Sequence, residues 1–277
     1  MKTVDPFAPA DHSTESLSLL AWFREVLIDE PDRRIVMICS VLGALVFIGL
    51  LTLILPTESR VAAVILDRMS PHFSYPFTIQ NIEHILFFLG LGELYVRWRT
   101  ACHELSFLNM KLLPEDTETV LEAKDLGPIR KRVTQLFDKQ YGILPSLIDL
   151  SILQFQSGRS IDQTVAVTNS NLELIQHRVD LSYSLLRYIA WVIPTLGFIG
   201  TTIGIGAALA SVPAGGEIKM DVLAHQLSVG FDCTMVALVE SAILVFVLHM
   251  VQEKEELGVN LAGTYTLRNL INRLYSQ

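Results

Sequence analysis

Four side chains in the C-terminal half carry chemistry that hydrocarbon does not normally hold. Thr201, Thr234, Asp232 and Glu240 all fall inside long apolar runs. A hydroxyl so placed either bonds the carbonyl four residues before it and does nothing else, or offers its oxygen to a passing ion. A carboxylate at mid-bilayer costs about 2.5–3.5 kcal/mol or more, so Asp232 and Glu240 must face protein or water. The chemistry on offer is the binding and handing-on of ions. No nucleotide loop, nucleophile elbow or HExxH pattern is present, and no Cys/His spacing suits a metal. Gly204-x-Gly206 lacks the third glycine and the preceding strand of a dinucleotide fingerprint. The expectation is a non-enzyme, with no catalytic residue, no metal and no cofactor.

The elements that must position these groups form a helical hairpin. A third span at about 185–210 and a fourth at about 226–250 flank the turn SVPAGGEIKMD. Thr201 lies nine residues from the outer end of one span, and Thr234 eight residues from the outer end of the other. At ~1.5 Å per residue both sit ~12–14 Å deep, at nearly the same height. Gly197, Gly200 and Gly204 recur along one side and suit close approach of a neighbouring helix. Pro194 is expected to kink the third span. Glu240 follows Thr234 by six residues, roughly 240° around a helix with ~3.6 residues per turn, so it points away from the Thr234 face. It reads as an inter-helix or inter-subunit hydrogen-bonding group kept neutral by burial, with an ion relay as the sharper alternative. Thr195 and Asp232 are further candidates for a polar relay or an inter-helix contact; a hydrated structural role suits Asp232.

The whole chain frames that hairpin. It has 277 residues, 51% of them hydrophobic and only 18% charged, with a mean hydropathy of +0.42. This is the composition of an integral membrane protein. A net charge of −8 without a basic run excludes an ordinary nucleic-acid binder. Cys39, Cys102 and Cys233 do not make a disulfide framework. The acidic start lacks the pattern of a signal peptide. Residues 1–16 read as disordered and 17–30 as an amphipathic helix, lying on the membrane or on the protein's own cytoplasmic part. Residues 35–55 carry no charge and form a first span. Residues 56–78 read as a loop. A weaker second span follows at 79–96, with Glu83 and His84 expected at a watered outer interface and an intramembrane site as the alternative. Arg33, Arg34, Arg97, Arg99 and Lys254 at the span ends put both termini in the cytoplasm.

The expected architecture is an all-α membrane protein with four transmembrane helices and a helical cytoplasmic region. Residues 1–33 form the N-terminal cytoplasmic segment, 34–97 the first two spans with a periplasmic loop, and 98–183 the cytoplasmic helices. Residues 184–250 form the hairpin and 251–277 a C-terminal cytoplasmic helix. In 98–183 a helix start is expected after Pro114, with breaks at Gly127–Pro128 and Gly142/Pro145. A helix with a broad apolar face follows from Pro145, Gly158 interrupts it, and a second leads into the third span.

PTLGFIGTTIG, from Pro194 to Gly204, and FDCTMVAL, from Phe231 to Leu238, resemble the paired motifs of the MotA/TolQ/ExbB family of ion-channel motor subunits. With the order of spans, the resemblance covers roughly 180 residues. It implies a homo-pentamer in the bacterial inner membrane around a dimer of a single-span MotB/TolR/ExbD-like partner. It further implies that Thr201 and Thr234 line the route by which a membrane-embedded aspartate of the partner loads and releases H+ or Na+, with protons preferred. Four spans match MotA, whereas the motif wording is nearer TolQ and ExbB, so the subfamily stays open. The competing reading is a non-conducting membrane scaffold or interaction subunit.

Overall fold

The computed structural model describes residues 32–68, 73–116, 118–136, 142–212 and 219–275. Helix α1, Arg33–Ile54, starts where the Asp32 carboxylate accepts the Arg34 N–H and ends before Pro56, which disfavours helical backbone at the residue preceding it. Helix α2, Arg60–Leu66, is capped by Ser59 and occupies part of the stretch expected to be loop. Helix α3, Ile79–Leu108, is capped by the Thr78 hydroxyl, which accepts the Asn81 N–H. Helix α4 spans Ala123–Val133, α5 Ile143–Gly158, α6 Ile161–Ser182, α7 Ser184–Ala210 and α8 Met220–Asn269. A short 3-10 turn, Ile271–Arg273, follows. The one β pairing among the described residues is an isolated parallel bridge between Leu121 and Leu274.

Two expectations for residues 98–183 fail. Among the described residues no helix starts between Pro114 and Glu122; the next begins at Ala123. Gly127 and Pro128 do not break the pattern but lie inside α4. Pro128 costs that helix one backbone bond, yet Leu126 and Val133, two turns apart, are both fully buried and hold it down. The amphipathic helix expected at 17–30 and the disorder expected at 1–16 lie outside the described residues, as do residues 213–218 of the hairpin turn.

Three helical stretches are long and apolar enough to cross a membrane: Arg33–Ile54, Ile161–Ala210 and Met220–Arg273. The 50 residues of α8 make a rod of ~75 Å against a hydrocarbon core of ~30 Å, so much of it extends beyond any bilayer. Helix α7 packs along α8, α3 packs on both, and α1 lies against α3. The polar residues of α3 are turned inward: Gln80, Asn81, Glu83, His84 and Glu93 are all buried. Glu83 is 0% and His84 3% exposed, which overturns their expected place at a watered interface. They face α2 and α8, and the Phe47 ring of α1 closes edge-on over His84.

Towards the other end of the bundle a ladder of charges ties the helices together. Arg33 reaches Glu93 at 2.9 Å, Arg97 lies 3.8 Å from Glu93 and 3.7 Å from Glu255, and the Tyr183 hydroxyl donates to Glu255 at 2.7 Å. Glu104 of α3 accepts the backbone N–H groups of Gly142 and Ile143, each at 2.7 Å. A carboxylate there complements the exposed N–H groups and positive dipole of the α5 start, and it fixes the smaller helices against the bundle.

Candidate functional site

The α7–α8 seam is built by glycine. An added Cβ on Gly197 would lie 2.6 Å from the Ala237 Cβ and 3.0 Å from the Thr234 Cα; one on Gly204 would lie 2.8 Å from the Gly230 Cα. At Gly200 it would run into the Cys233 sulfur. The three glycines do bring the helices together as expected, whereas Gly206 has nothing within 4 Å of its added Cβ.

Close approach lets the two threonines meet. The Thr201 and Thr234 hydroxyls hydrogen-bond to each other. Thr201 Oγ1 also lies 2.8 Å from the Gly230 carbonyl oxygen, across the seam, against 3.3 Å from its own Gly197. Thr234 Oγ1 lies 2.7 Å from the Gly197 oxygen, across the seam, against 3.4 Å from its own Gly230. Each hydroxyl thus prefers the other helix's carbonyl, so neither is an idle threonine bonding only its own turn. Two hydroxyl protons serve this cluster, and each oxygen has two lone pairs. Their mutual bond uses one lone pair, which leaves acceptor capacity for an incoming proton donor or small cation. Both threonines are half-buried, and Phe198, Phe231 and Met235 nearby on the same helices are exposed.

Pro194 has a consequence the sequence reading missed. It has no N–H, so the Ala190 carbonyl loses its helical donor. The Ser241 hydroxyl of α8 donates to that carbonyl at 2.9 Å. The proline's missing hydrogen bond is thereby replaced across the same seam.

Residues 141–260 match the model of the MotA/TolQ/ExbB proton channel family. The chain carries a domain of that family. No curated protein matches the chain, and no solved structure does. The MotA/TolQ/ExbB match takes in α5, α6, α7 and α8 as far as Asn260, so it holds both threonines, all three seam glycines, Pro194 and Ser241. The match supports a membrane subunit of the ion-channel, energy-transducing type.

The two carboxylates in the apolar stretch of α8, Asp232 and Glu240, turn outward from the α7–α8 seam, towards helices outside the MotA/TolQ/ExbB match. Asp232 pairs with Arg60 of α2 at 2.9 Å. Ser228 donates to its second oxygen at 3.2 Å and accepts from Arg60 at 2.7 Å. Glu240 meets His84 Nδ1 at 2.5 Å, so its partner lies within the same chain. Thr195 donates to Trp191, on its own turn, at 2.8 Å and is not brought to the threonine pair. Arg60, His84 and Ser241 are the partners that sequence reasoning did not name. For Ser241 a signal existed: the hairpin register that levels Thr201 with Thr234 also brings residue 241 near the turn holding Ala190.

Proposed function

We propose that this protein is the channel subunit of a proton-driven inner-membrane motor, assembled as five copies around a dimer of a single-span MotB/TolR/ExbD-like partner. The observation that carries this reading is the cross-helix Thr201–Thr234 pair, inside the matched family domain. The pair offers oxygen lone pairs at mid-depth but no titratable group of its own. Asp232 and Glu240 are already committed to Arg60 and His84. A membrane-embedded acid from the partner would complete the site: protonated, it donates to a threonine oxygen; ionised, it accepts from a hydroxyl. Oxygen donors would also suit Na+, which remains the second ion under this reading.

Four spans with both termini in the cytoplasm belong to the same proposal. Helix α3 falls short on apolarity, yet its polar side chains are sheathed by α1, α2 and α8. A helix whose ionisable groups face the bundle interior can cross lipid, because lipid meets only its apolar side. The basic residues Arg33, Arg34, Arg97 and Arg99 support the orientation.

The test is co-expression with the single-span partner, followed by ion flux in vesicles. Thr234→Val keeps the shape and removes the hydroxyl; Thr234→Ser restores it. The expected result is an assembled Val variant with at least tenfold lower flux and a Ser variant near the parent. Collapse of the proton gradient should stop the parent, and removal of sodium should not. A parent-like Val variant would refute the site. A well-assembled complex that passes no ion would favour the scaffold, whose supporting observation is that the threonines also staple α7 to α8.

A further inference from the structure

Outside the threonine seam lies a set of ionisable groups, between α2, α3 and α8. His84 defines its protonation. Its Nε2 lies 3.0 Å from the Ile65 carbonyl oxygen of α2. A carbonyl only accepts, so Nε2 carries hydrogen. Its Nδ1 lies 2.5 Å from Glu240 Oε1. One proton therefore sits between these two atoms, either as imidazolium with carboxylate or as imidazole with carboxylic acid, and the pair is neutral in both forms.

Glu83, one residue before His84, has no such partner. Its side chain is 0% exposed, and neither oxygen has a hydrogen-bond partner among the described residues. The second Glu240 oxygen and both amide atoms of Gln80 are likewise unpartnered. Glu83 also interacts electrostatically with Glu240 and with Cys233, and the Cys233 thiol donates to the same Gly230 carbonyl that serves the threonines. An ionised carboxylate enclosed in this way, with no cation in reach among the described residues, would cost several kcal/mol.

The surrounding charges among the described residues leave that cost in place. From α2, Arg60 is committed to Asp232, and the residue that caps its end, Asp67, is a further carboxylate and not a cation. Beyond α2, Arg68 donates to the Thr52 and Leu55 carbonyls and lies over the Tyr75 ring. From α8 the facing groups are Asp232, Cys233 and Glu240. On α3 itself Glu93 is ten residues, ~15 Å, further along and is paired with Arg33. Past Arg34, α1 carries only Cys39, and past Tyr188, α7 carries no titratable group.

We propose that Glu83, with the neutral His84–Glu240 pair beside it, is a second proton-binding site in the bundle, with the exchangeable proton on Glu83. The proton leaves as Glu83 carboxylic acid becomes carboxylate, while the proton between His84 and Glu240 stays. Glu83 and His84 lie outside residues 141–260, and the proposal does not depend on the threonine pair conducting.

The experiment is an infrared pH titration of the full chain in lipid nanodiscs, without any partner, read at the carboxylic-acid carbonyl stretch. The expected result is a protonated-carboxyl signal that is lost and recovered as the pH is cycled and that shifts in deuterated water. Glu83→Gln should remove one carboxyl per chain from it. Glu83→Asp should move the band without abolishing it, which keeps the test decisive if the Gln variant folds poorly. Coincident spectra for parent and Glu83→Gln would overturn the proposal. So would loss of the signal in Glu240→Gln alone, which would put the proton on Glu240, or its disappearance on adding sodium, which would make this a metal-cation site. Ion flux with the partner is a separate readout, so failure here leaves the motor reading standing, and the converse holds too.

Discussion

Gly204→Ala against Gly206→Ala measures how far the seam depends on glycine. The two residues are one turn apart or less on the same helix, and both substitutions gain the same ~0.5–1 kcal/mol of helix preference over glycine. That gain cancels in the comparison. What remains is the environment. The new methyl at 204 would sit 2.8 Å from the Gly230 Cα, 2.9 Å from the Gln226 carbonyl oxygen and 3.0 Å from the Gly230 nitrogen. All three are backbone atoms that no rotamer change can move, and ordinary contact is about 3.5–4.0 Å. The helices must part by about 1 Å, at an overpacking cost of about 1–3 kcal/mol. At 206 the methyl meets nothing within 4 Å. Gly204→Ala should therefore unfold about 1–3 kcal/mol more easily than Gly206→Ala, measured by reversible unfolding in mixed micelles. A second effect should follow in the assembled complex. Gly230 is the residue against which the methyl presses, and its carbonyl accepts from Thr201 at 2.8 Å. Parting the helices by about 1 Å takes that contact beyond hydrogen-bond reach, so ion flux should fall further than stability. Equal stability of the two variants would show that the seam can widen freely, and the reasoning from close approach to threonine pairing would collapse.

Two more predictions concern groups that hold the site in place. Ser241→Ala leaves the Ala190 carbonyl without a donor and should cost about 1–3 kcal/mol. In a Pro194→Ala background the residue-194 N–H can serve that carbonyl, so the same substitution should cost markedly less; additive costs in this double-mutant cycle would disprove the link. Glu104→Ala strips two N–H groups at the α5 start of their carboxylate and should lower the unfolding midpoint, with Glu104→Gln intermediate because its amide keeps one acceptor oxygen. Parent-like melting of the Ala variant would mean that water replaces the carboxylate without loss.

The seam was legible in the sequence because an α-helix turns residue counts into depth and angle. Counting from the hairpin ends levelled Thr201 with Thr234, and the offset of six residues turned Glu240 away from them, as found. What Glu240 meets was hidden. A hydropathy scan averages all faces of a helix, so it cannot say that Glu83 and His84 of α3 point into protein; it registers only that the stretch is too polar. Arg60 was hidden for a different reason. A seven-residue helix between prolines gives too little periodicity to stand out from loop, and only the folded chain brings it to Asp232. The same limit applies at Pro128, where a local breaker signal lost to the burial of Leu126 and Val133.

The commitments of the carboxylates bear directly on the proposed mechanism. A single chain that conducted protons at the threonine pair would need a titratable group within reach of those hydroxyls. The two acids on α8 inside the span both face elsewhere, Asp232 to an arginine whose side chain is 67% exposed and Glu240 to a histidine enclosed by three other helices. Freeing either one for the seam would leave Arg60 or His84 without its partner, and neither carboxylate could swing through α8 to the opposite face. The hydroxyls can hold or relay a proton but cannot supply the pKa change that binding and release require. The proposal therefore places the acid on the partner's helix, against the exposed apolar surface beside Phe198, Phe231 and Met235. That placement separates motor from scaffold: a partner helix with its acid replaced by the matching amide should still assemble with this subunit but should abolish flux, and flux that survived the replacement would show that the titrating group lies within this chain after all.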